Sequence, residues 1–167
     1  YEDADAAFFD ANGDGREDLV VVSGGGEVGA GERVAPRLYL QDQGGRFQPF
    51  SEAFPDAVAT NAGCVVAFDF ERDGDQDLFI GGRSLPGSYG LPGRSYVLLN
   101  DGRGRFRVAE EAGFVRDLGM VTGAVYLPGL HQLIIAGAWM PVTRIDLATG
   151  QAAPAWENAE GWWVALS

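Results

Sequence analysis

The stretch Asp10-Ala11-Asn12-Gly13-Asp14-Gly15-Arg16-Glu17-Asp18 returns fifty-nine positions later, without a gap, as Asp69-Phe70-Glu71-Arg72-Asp73-Gly74-Asp75-Gln76-Asp77. The same offset aligns Leu19 with Leu78, Leu40 with Leu99, Asp42 with Asp101, and Gly45-Arg46-Phe47 with Gly104-Arg105-Phe106. A repeat of this period means a solenoid, a propeller or an array, in which each unit buries its apolar face only against its neighbours. In both copies oxygen-bearing side chains fall at every second position, glycines allow the chain to turn, and an apolar run follows at once. Oxygen-only donors at alternate positions of a tight loop suit a hard cation, with calcium the first candidate.

Each unit reads as four short strands separated by turn signals, the pattern of a propeller blade. The expected first strands are Ala4–Phe9 and Gly63–Phe68, and the acidic loop follows each. Leu19–Val22 or Leu78–Ile80 leaves the loop as a second strand, and a Gly/Pro-rich connection follows over Gly24–Pro36 or Gly81–Gly93. The third strands are expected at Arg37–Gln41 and Ser95–Asn100, and the fourth at Arg46–Phe50 and Arg105–Ala109 after Gly-rich turns. Helical periodicity is nearly absent, the best candidate being a short turn around Val108–Gly113. A third, worn unit has Gly119–Ala124 as its first strand and Leu133–Gly137 as its second. The segment between them, Tyr126–Gln132, carries no carboxylate, and Pro128-Gly129 makes a hairpin turn there. The last residues, Gly161–Leu166, read as the first strand of a fourth unit. The fold class expected is all-β, a β-propeller segment of about three four-stranded blades plus one strand. The units fall near 1–62, 63–118 and 119–160, with 161–167 as the closing or next-blade strand.

Composition narrows the partners. The 167 residues carry a net charge of −12 and one cysteine, Cys64. That charge argues against nucleic acid or an anionic membrane as a partner, and a single cysteine forms no internal disulfide. No run reaches the roughly 18 apolar residues of a membrane helix, so no membrane insertion is expected. The chain opens in mid-pattern at Tyr1, as expected of a piece of a longer product. Open sheet edges at Tyr1 and at 162–167 invite pairing. The expected partner is therefore a second copy, giving a homo-oligomer of six blades, or the remainder of the same propeller.

Two acidic loops, each followed by an apolar strand, resemble the calcium loops of FG-GAP/VCBS repeats, the integrin-type β-propeller blades. Further stretches extend the resemblance over almost the full length: Ala7–Gly15, Leu78–Arg83, Arg94–Gly102, Gly119–Thr122, Trp139-Met140-Pro141 and Gly161-Trp162-Trp163. These resemble FG-GAP-like bacterial proteins that often carry an ASPIC/UnbV domain. The resemblance implies a secreted, surface-attached or periplasmic propeller with calcium in its blade loops, and it implies no defined reaction. It also implies a ligand pattern: side chains at loop positions one, three, five and nine, with a backbone carbonyl at seven. The first site is then Asp10, Asn12, Asp14 and Asp18 with the carbonyl of Arg16, and the second is Asp69, Glu71, Asp73 and Asp77 with the carbonyl of Asp75.

An EF-hand would need a bidentate Glu at loop position twelve. Val21 and Ile80 stand there, each within an apolar strand, so that reading fails. Neither loop contains His or Cys, which argues against zinc or copper. The two calcium ions are expected to be structural. Gly24–Gly29 fits G-x-G-x-x-G, but further Gly, Pro36 and a strand follow where a dinucleotide site needs a helix, so a long connection is the better reading. His131 reads as a plain turn residue, Cys64 as core, and Trp139-Met140-Pro141 and Trp162-Trp163 as packing between blades. Arg83, Tyr89, Arg94 and Tyr96, on or beside the second long connection, are the candidate ligand-binding residues. No catalytic constellation stands out, so a non-enzymatic module binding a protein or other ligand is expected. A carbohydrate-binding or carbohydrate-active propeller, a lectin or a polysaccharide lyase, is the alternative.

Overall fold

The computed structural model describes residues 2–24, 34–88 and 90–156. The expected strand 161–167 and most of the Gly24–Gly29 motif therefore lie outside the described residues. The described chain forms three four-stranded antiparallel sheets and one short 3-10 helix, Glu110–Val115. Sheet 1 contains β1 (Glu2–Phe9), β2 (Asp18–Gly24), β3 (Arg37–Gln41) and β4 (Phe47–Pro49). Sheet 2 contains β5 (Asn61–Phe68), β6 (Asp77–Ser84), β7 (Tyr96–Asn100) and β8 (Phe106–Val108). Sheet 3 contains β9 (Met120–Leu127), β10 (Gln132–Ala138), β11 (Thr143–Asp146) and β12 (Ala152–Pro154). Within each sheet neighbouring strands are consecutive in sequence, the meander that short turns and alternating apolar residues favour.

The sheets pack face against face in chain order. Phe9, Val20, Val22 and Leu38 of sheet 1 meet Val65, Leu78, Ile80, Leu98 and Phe106 of sheet 2 in one core. Phe68, Phe79, Val97 and Leu99, on the opposite face of sheet 2, meet Val121, Leu133, Ile135 and Ile145 of sheet 3 in another. The short helix closes the second core with Ala112 and Val115. Sheet 2 is therefore apolar on both faces, which is why β6 and β7 read as unbroken apolar runs rather than alternating ones. Cys64 is buried in the second core, and burial pushes its thiol up to about 12, so it is inert filling.

The second strands run further than turn chemistry suggests. β6 passes through Gly81-Gly82 to Ser84, and β2 ends at Gly24, where the sequence reads as the start of a connection. A Cβ on Gly81 would lie 2.7 Å from both Cys64 Sγ and Val121 Cγ1. One on Gly82 would overlap the Arg94 carbonyl, and one on Gly24 the Ala62 carbonyl. Gly24 and Gly81 face a neighbouring sheet and Gly82 faces Arg94 of its own unit, so these glycines permit close approach rather than turning.

Gly63 is the sharpest case. Its φ is not in the left-handed region, yet a Cβ there would overlap the carbonyl oxygen of Val121 on sheet 3. Gly63→Ala must separate sheets 2 and 3 and is expected to cost about 1–3 kcal/mol, as overpacked sites do. Gly113→Ala, where a Cβ meets nothing within 4 Å, should be nearly silent. Urea unfolding of the two variants measures the difference, and equal midpoints would contradict this packing.

Candidate metal loops and the turn between them

The first acidic loop folds back on its own carboxylates. Asp10 Oδ1 accepts from the backbone N–H groups of Gly13 (2.8 Å) and Asp14 (3.1 Å), and Oδ2 accepts from Gly15 (2.7 Å). Asn12 Oδ1 accepts from Asp14 N–H at 3.1 Å, and Asp14 Oδ1 from Arg16 N–H at 3.0 Å. Gly13 and Gly15 both have positive φ, at 74° and 81°, which lets the loop coil this tightly. The second loop repeats the scheme. Asp69 accepts from Asp73 N–H (3.2 Å) and Gly74 N–H (3.1 Å), and Asp73 accepts from Asp75 N–H at 3.1 Å. Arg72 takes a φ of 62° there. Asp14 forms an ion pair with Arg16, and Glu71 one with Arg107 at 3.6 Å.

The ninth positions behave differently. Asp18 and Asp77 are fully buried. Asp18 accepts from Ala11 N–H (3.0 Å) and Gln41 N–H (2.8 Å). Asp77 accepts from Phe70 N–H (2.8 Å) and Asn100 N–H (2.8 Å). Each carboxylate thus ties its loop to the end of the third strand of its own sheet. Burial raises the proton affinity of both against the pull of these N–H donors, and Asp77 reaches about 6. Asp14 and Asp10 add like-charge repulsion at Asp18, and Asp73 adds it at Asp77.

A family model described as FG-GAP-like repeat matches residues 7–80, a stretch that takes in both loops. Over that stretch the chain is an FG-GAP-like repeat. No curated protein matches the chain. The donor chemistry of the repeat's two loops fits a hard cation, since every side chain and carbonyl in the set offers oxygen. Among the described residues, no three His, Cys, Asp or Glu side chains are grouped closely enough to form a ready-made metal cage. Holding an ion therefore requires these carboxylates to draw together.

The turn after β7 sits between the two loops of the FG-GAP-like repeat. Asn100, nearly buried, donates its side-chain amide to Ala11 O of the first loop (2.8 Å) and to Gln76 O of the second (3.1 Å). Its Oδ1 accepts from Gly104 N–H at 3.1 Å. Gly102, with φ 70°, leaves no room for a Cβ, which would lie 2.6 Å from Asp75 Oδ2. Sequence reasoning missed this residue. Asn-Asp-Gly reads as an ordinary turn, and the partner Ala11 lies 89 residues away.

Sheet 3 solves the same problem without a carboxylate. Gln132 pairs with Leu127 as Asp77 pairs with Phe68. The donor equivalent to Asn100 N–H is Leu147 N–H, which bonds to the carbonyl of His131 at 3.1 Å. His131 adopts φ 51° to present that carbonyl. It is a turn residue, as the sequence suggests, but not a plain exposed one. It is buried, its Nδ1 lies 3.0 Å from Tyr126 Oη, and its ring packs against Phe70 of the second loop. Desolvation and then Arg72 lower its proton affinity, while Asp146 and Asp69 oppose them.

The candidate ligand-binding residues differ in exposure. Arg94 is exposed, Arg83 is half-buried, and Tyr96 is half-buried with its Oη on Ala57 O at 3.4 Å. Tyr89 lies outside the described residues, as do Trp162 and Trp163. Trp139 packs only in part. Its side chain is 62% exposed at φ 58°, while Met140 beside it is buried and anchors the turn. The Trp139 indole stands by Gly90 of the second connection, where a Cβ would lie 3.8 Å away.

Two outcomes follow from this geometry. Asn100→Ala strands two carbonyls between the loops and should cost about 1–3 kcal/mol in urea unfolding; an unchanged midpoint would contradict the bridging role. Protonation of Asp77 is favoured by the metal-free fold. Its stabilising contribution is fully present below pH 3.8 and is lost as pH rises through about 6. The difference in stability between the wild type and Asp77→Asn in EDTA should therefore shift by on the order of 2 kcal/mol over that window. A pH-independent difference would contradict it.

Proposed function

We propose that this chain is a calcium-stabilised β-propeller segment acting as a non-enzymatic binding module on the cell surface or in the periplasm. The observation that carries the reading is the repetition of one acidic loop in two adjacent sheets of an FG-GAP-like repeat. In each, oxygen donors at positions one, three, five and nine surround a turn packed with backbone N–H bonds. The residues that would hold the ion are Asp10, Asn12, Asp14 and Asp18 with the Arg16 carbonyl, and Asp69, Glu71, Asp73 and Asp77 with the Asp75 carbonyl. A divalent ion there supplies charge neutralisation. That matters most at Asp18 and Asp77, whose charged forms burial disfavours. The role is structural: the loop joins the first two strands of each sheet, and binding energy adds to folding energy. Three sheets stacked in chain order support a propeller, completed by further sheets. No helix among the described residues is long and apolar enough to cross a membrane. A longer product carrying an ASPIC/UnbV domain belongs to the same reading.

Calcium at millimolar concentration should raise the thermal midpoint of EDTA-treated protein by several degrees. Asp14→Ala combined with Asp73→Ala should abolish the rise. A metal-stripped wild type with no rise would overturn the calcium assignment.

A glycan ligand is the second reading, and the exposure of Trp139 beside Gly90 favours it, since indole faces stack on apolar ring surfaces. A glycan array probed with wild type and with Trp139→Ala separates the readings. Signals lost in the variant support a lectin, and an array with no signal removes it.

A further inference from the structure

We infer, resting on the calcium reading above, that the two acidic loops take up their ions cooperatively and are coupled through Asn100, so that filling either loop raises the affinity of the other. A chain of hydrogen bonds joins the two buried ninth-position carboxylates. Asp18 Oδ2 accepts from Ala11 N–H at 3.0 Å. The carbonyl of Ala11 accepts from the Asn100 side-chain amide at 2.8 Å. Asn100 N–H in turn donates to Asp77 Oδ1 at 2.8 Å, and Asp77 Oδ2 accepts from Phe70 N–H at 2.8 Å. Ala11 and Asn100 alone therefore carry this path from one carboxylate to the other. Ala11 is fully buried and Asn100 nearly so, which strengthens these bonds by keeping water from them.

A second set of contacts follows the same route. The turn after Asn100 lies against both loops. A Cβ on Gly13 of the first loop would lie 3.7 Å from the Gly102 carbonyl oxygen, and one on Gly102 would lie 2.6 Å from Asp75 Oδ2 of the second. Asn100 also donates to Gln76 O at 3.1 Å, one residue before Asp77. Contraction of either loop therefore bears on the same turn. Sheet 3 gives the contrast. Leu147 stands there in the place of Asn100, buried in the second core. It has no side-chain amide to offer the second loop, and its own turn at residues 128–131 has no carboxylate.

The sign of the coupling follows from what binding demands. Among the described residues the carboxylates of neither loop are grouped into a cage, so each loop must order as it closes on an ion, at a cost in entropy. Ala11, Asn100 and the Asp101-Gly102 turn take part in both closures. Once one loop has fixed them, the other closes at a lower entropic cost, which is positive cooperativity. Repulsion between the two ions acts in the opposite sense. Residues 13–15 and 71–74 are exposed, so water and salt screen it.

Calcium titration of metal-stripped, isotope-labelled protein, followed by amide shifts, reads each loop separately; about 0.15 M salt screens direct charge effects. Disabling the first loop with Asp14→Ala should weaken binding at residues 69–77 by about fivefold or more, and Asp73→Ala should weaken binding at residues 10–18 by the same factor, because coupling is reciprocal. In an Asn100→Ala background each loop should still bind, while Asp14→Ala should leave the second loop unchanged. Should Asn100→Ala fail to fold, Asn100→Asp takes its place, since an ionised carboxylate keeps the acceptor for Gly104 and loses both donors. A merely structural Asn100 would weaken both loops and leave the factor intact, and that result would overturn the coupling. Loops that fill independently in the wild type would overturn it too and leave the calcium reading standing. Amides of both loops unmoved at saturating calcium would overturn the calcium reading and the coupling with it.

Discussion

Asp18 and Asp77 are the fixed points of the two acidic loops. Each is a buried carboxylate held by one N–H from its own loop and one from the end of the third strand. A buried carboxylate is costly unless its oxygens are satisfied, and here both are. Removing that satisfaction would free the loop from the sheet. The remaining carboxylates, Asp10, Asp14, Asp69 and Asp73, are positioned by backbone N–H bonds inside loops that these two anchors hold in place. Sheet 3 substitutes a carbonyl for the carboxylate by twisting His131 into left-handed backbone. Closing the turn does not itself require a carboxylate at the ninth position, and in the first two loops the acidic residues also accept the backbone N–H bonds that coil the loop.

The sheets depend on a second constraint, close approach of the first and second strands to the neighbouring sheet. Gly24 lies against Ala62, and Gly63 and Gly81 lie against Val121, each at a distance that admits no side chain. Large apolar residues fill the space further out, where Phe9, Phe54 and Phe106 stack in the first core and Phe68 and Tyr126 in the second. The sheets thus approach closely at glycines and are spaced by large aromatic side chains elsewhere in the two cores. Asn100 joins the loops of neighbouring sheets.

Much of this was legible in the sequence because the repeat carries it. Strand order, the four-strand unit, the 3-10 turn near Val108–Gly113 and the loss of carboxylates in the third loop all follow from aligning the chain with itself. The ends of β2 and β6 were not legible. Gly24 and Gly81-Gly82 have the composition of a turn, and only the backbone and side chains packed against them, Ala62 and Val121 of neighbouring sheets and Arg94 beside β7, reveal that they are strand residues in a narrow gap. Asn100 was hidden for the same reason, since its partner is distant in sequence. The exposure of Trp139 next to buried Met140 is likewise not readable from the sequence, because it depends on a positive φ at Trp139.

In the proposed function the two acidic loops hold an ion and the third turn does not. Calcium titration of isotope-labelled, metal-stripped protein followed by amide NMR tests this directly. Shifts concentrated in residues 10–18 and 69–77, with the turn at 128–131 unmoved, are the expected result. Resonances of both acidic loops that stay in place at saturating calcium would contradict it.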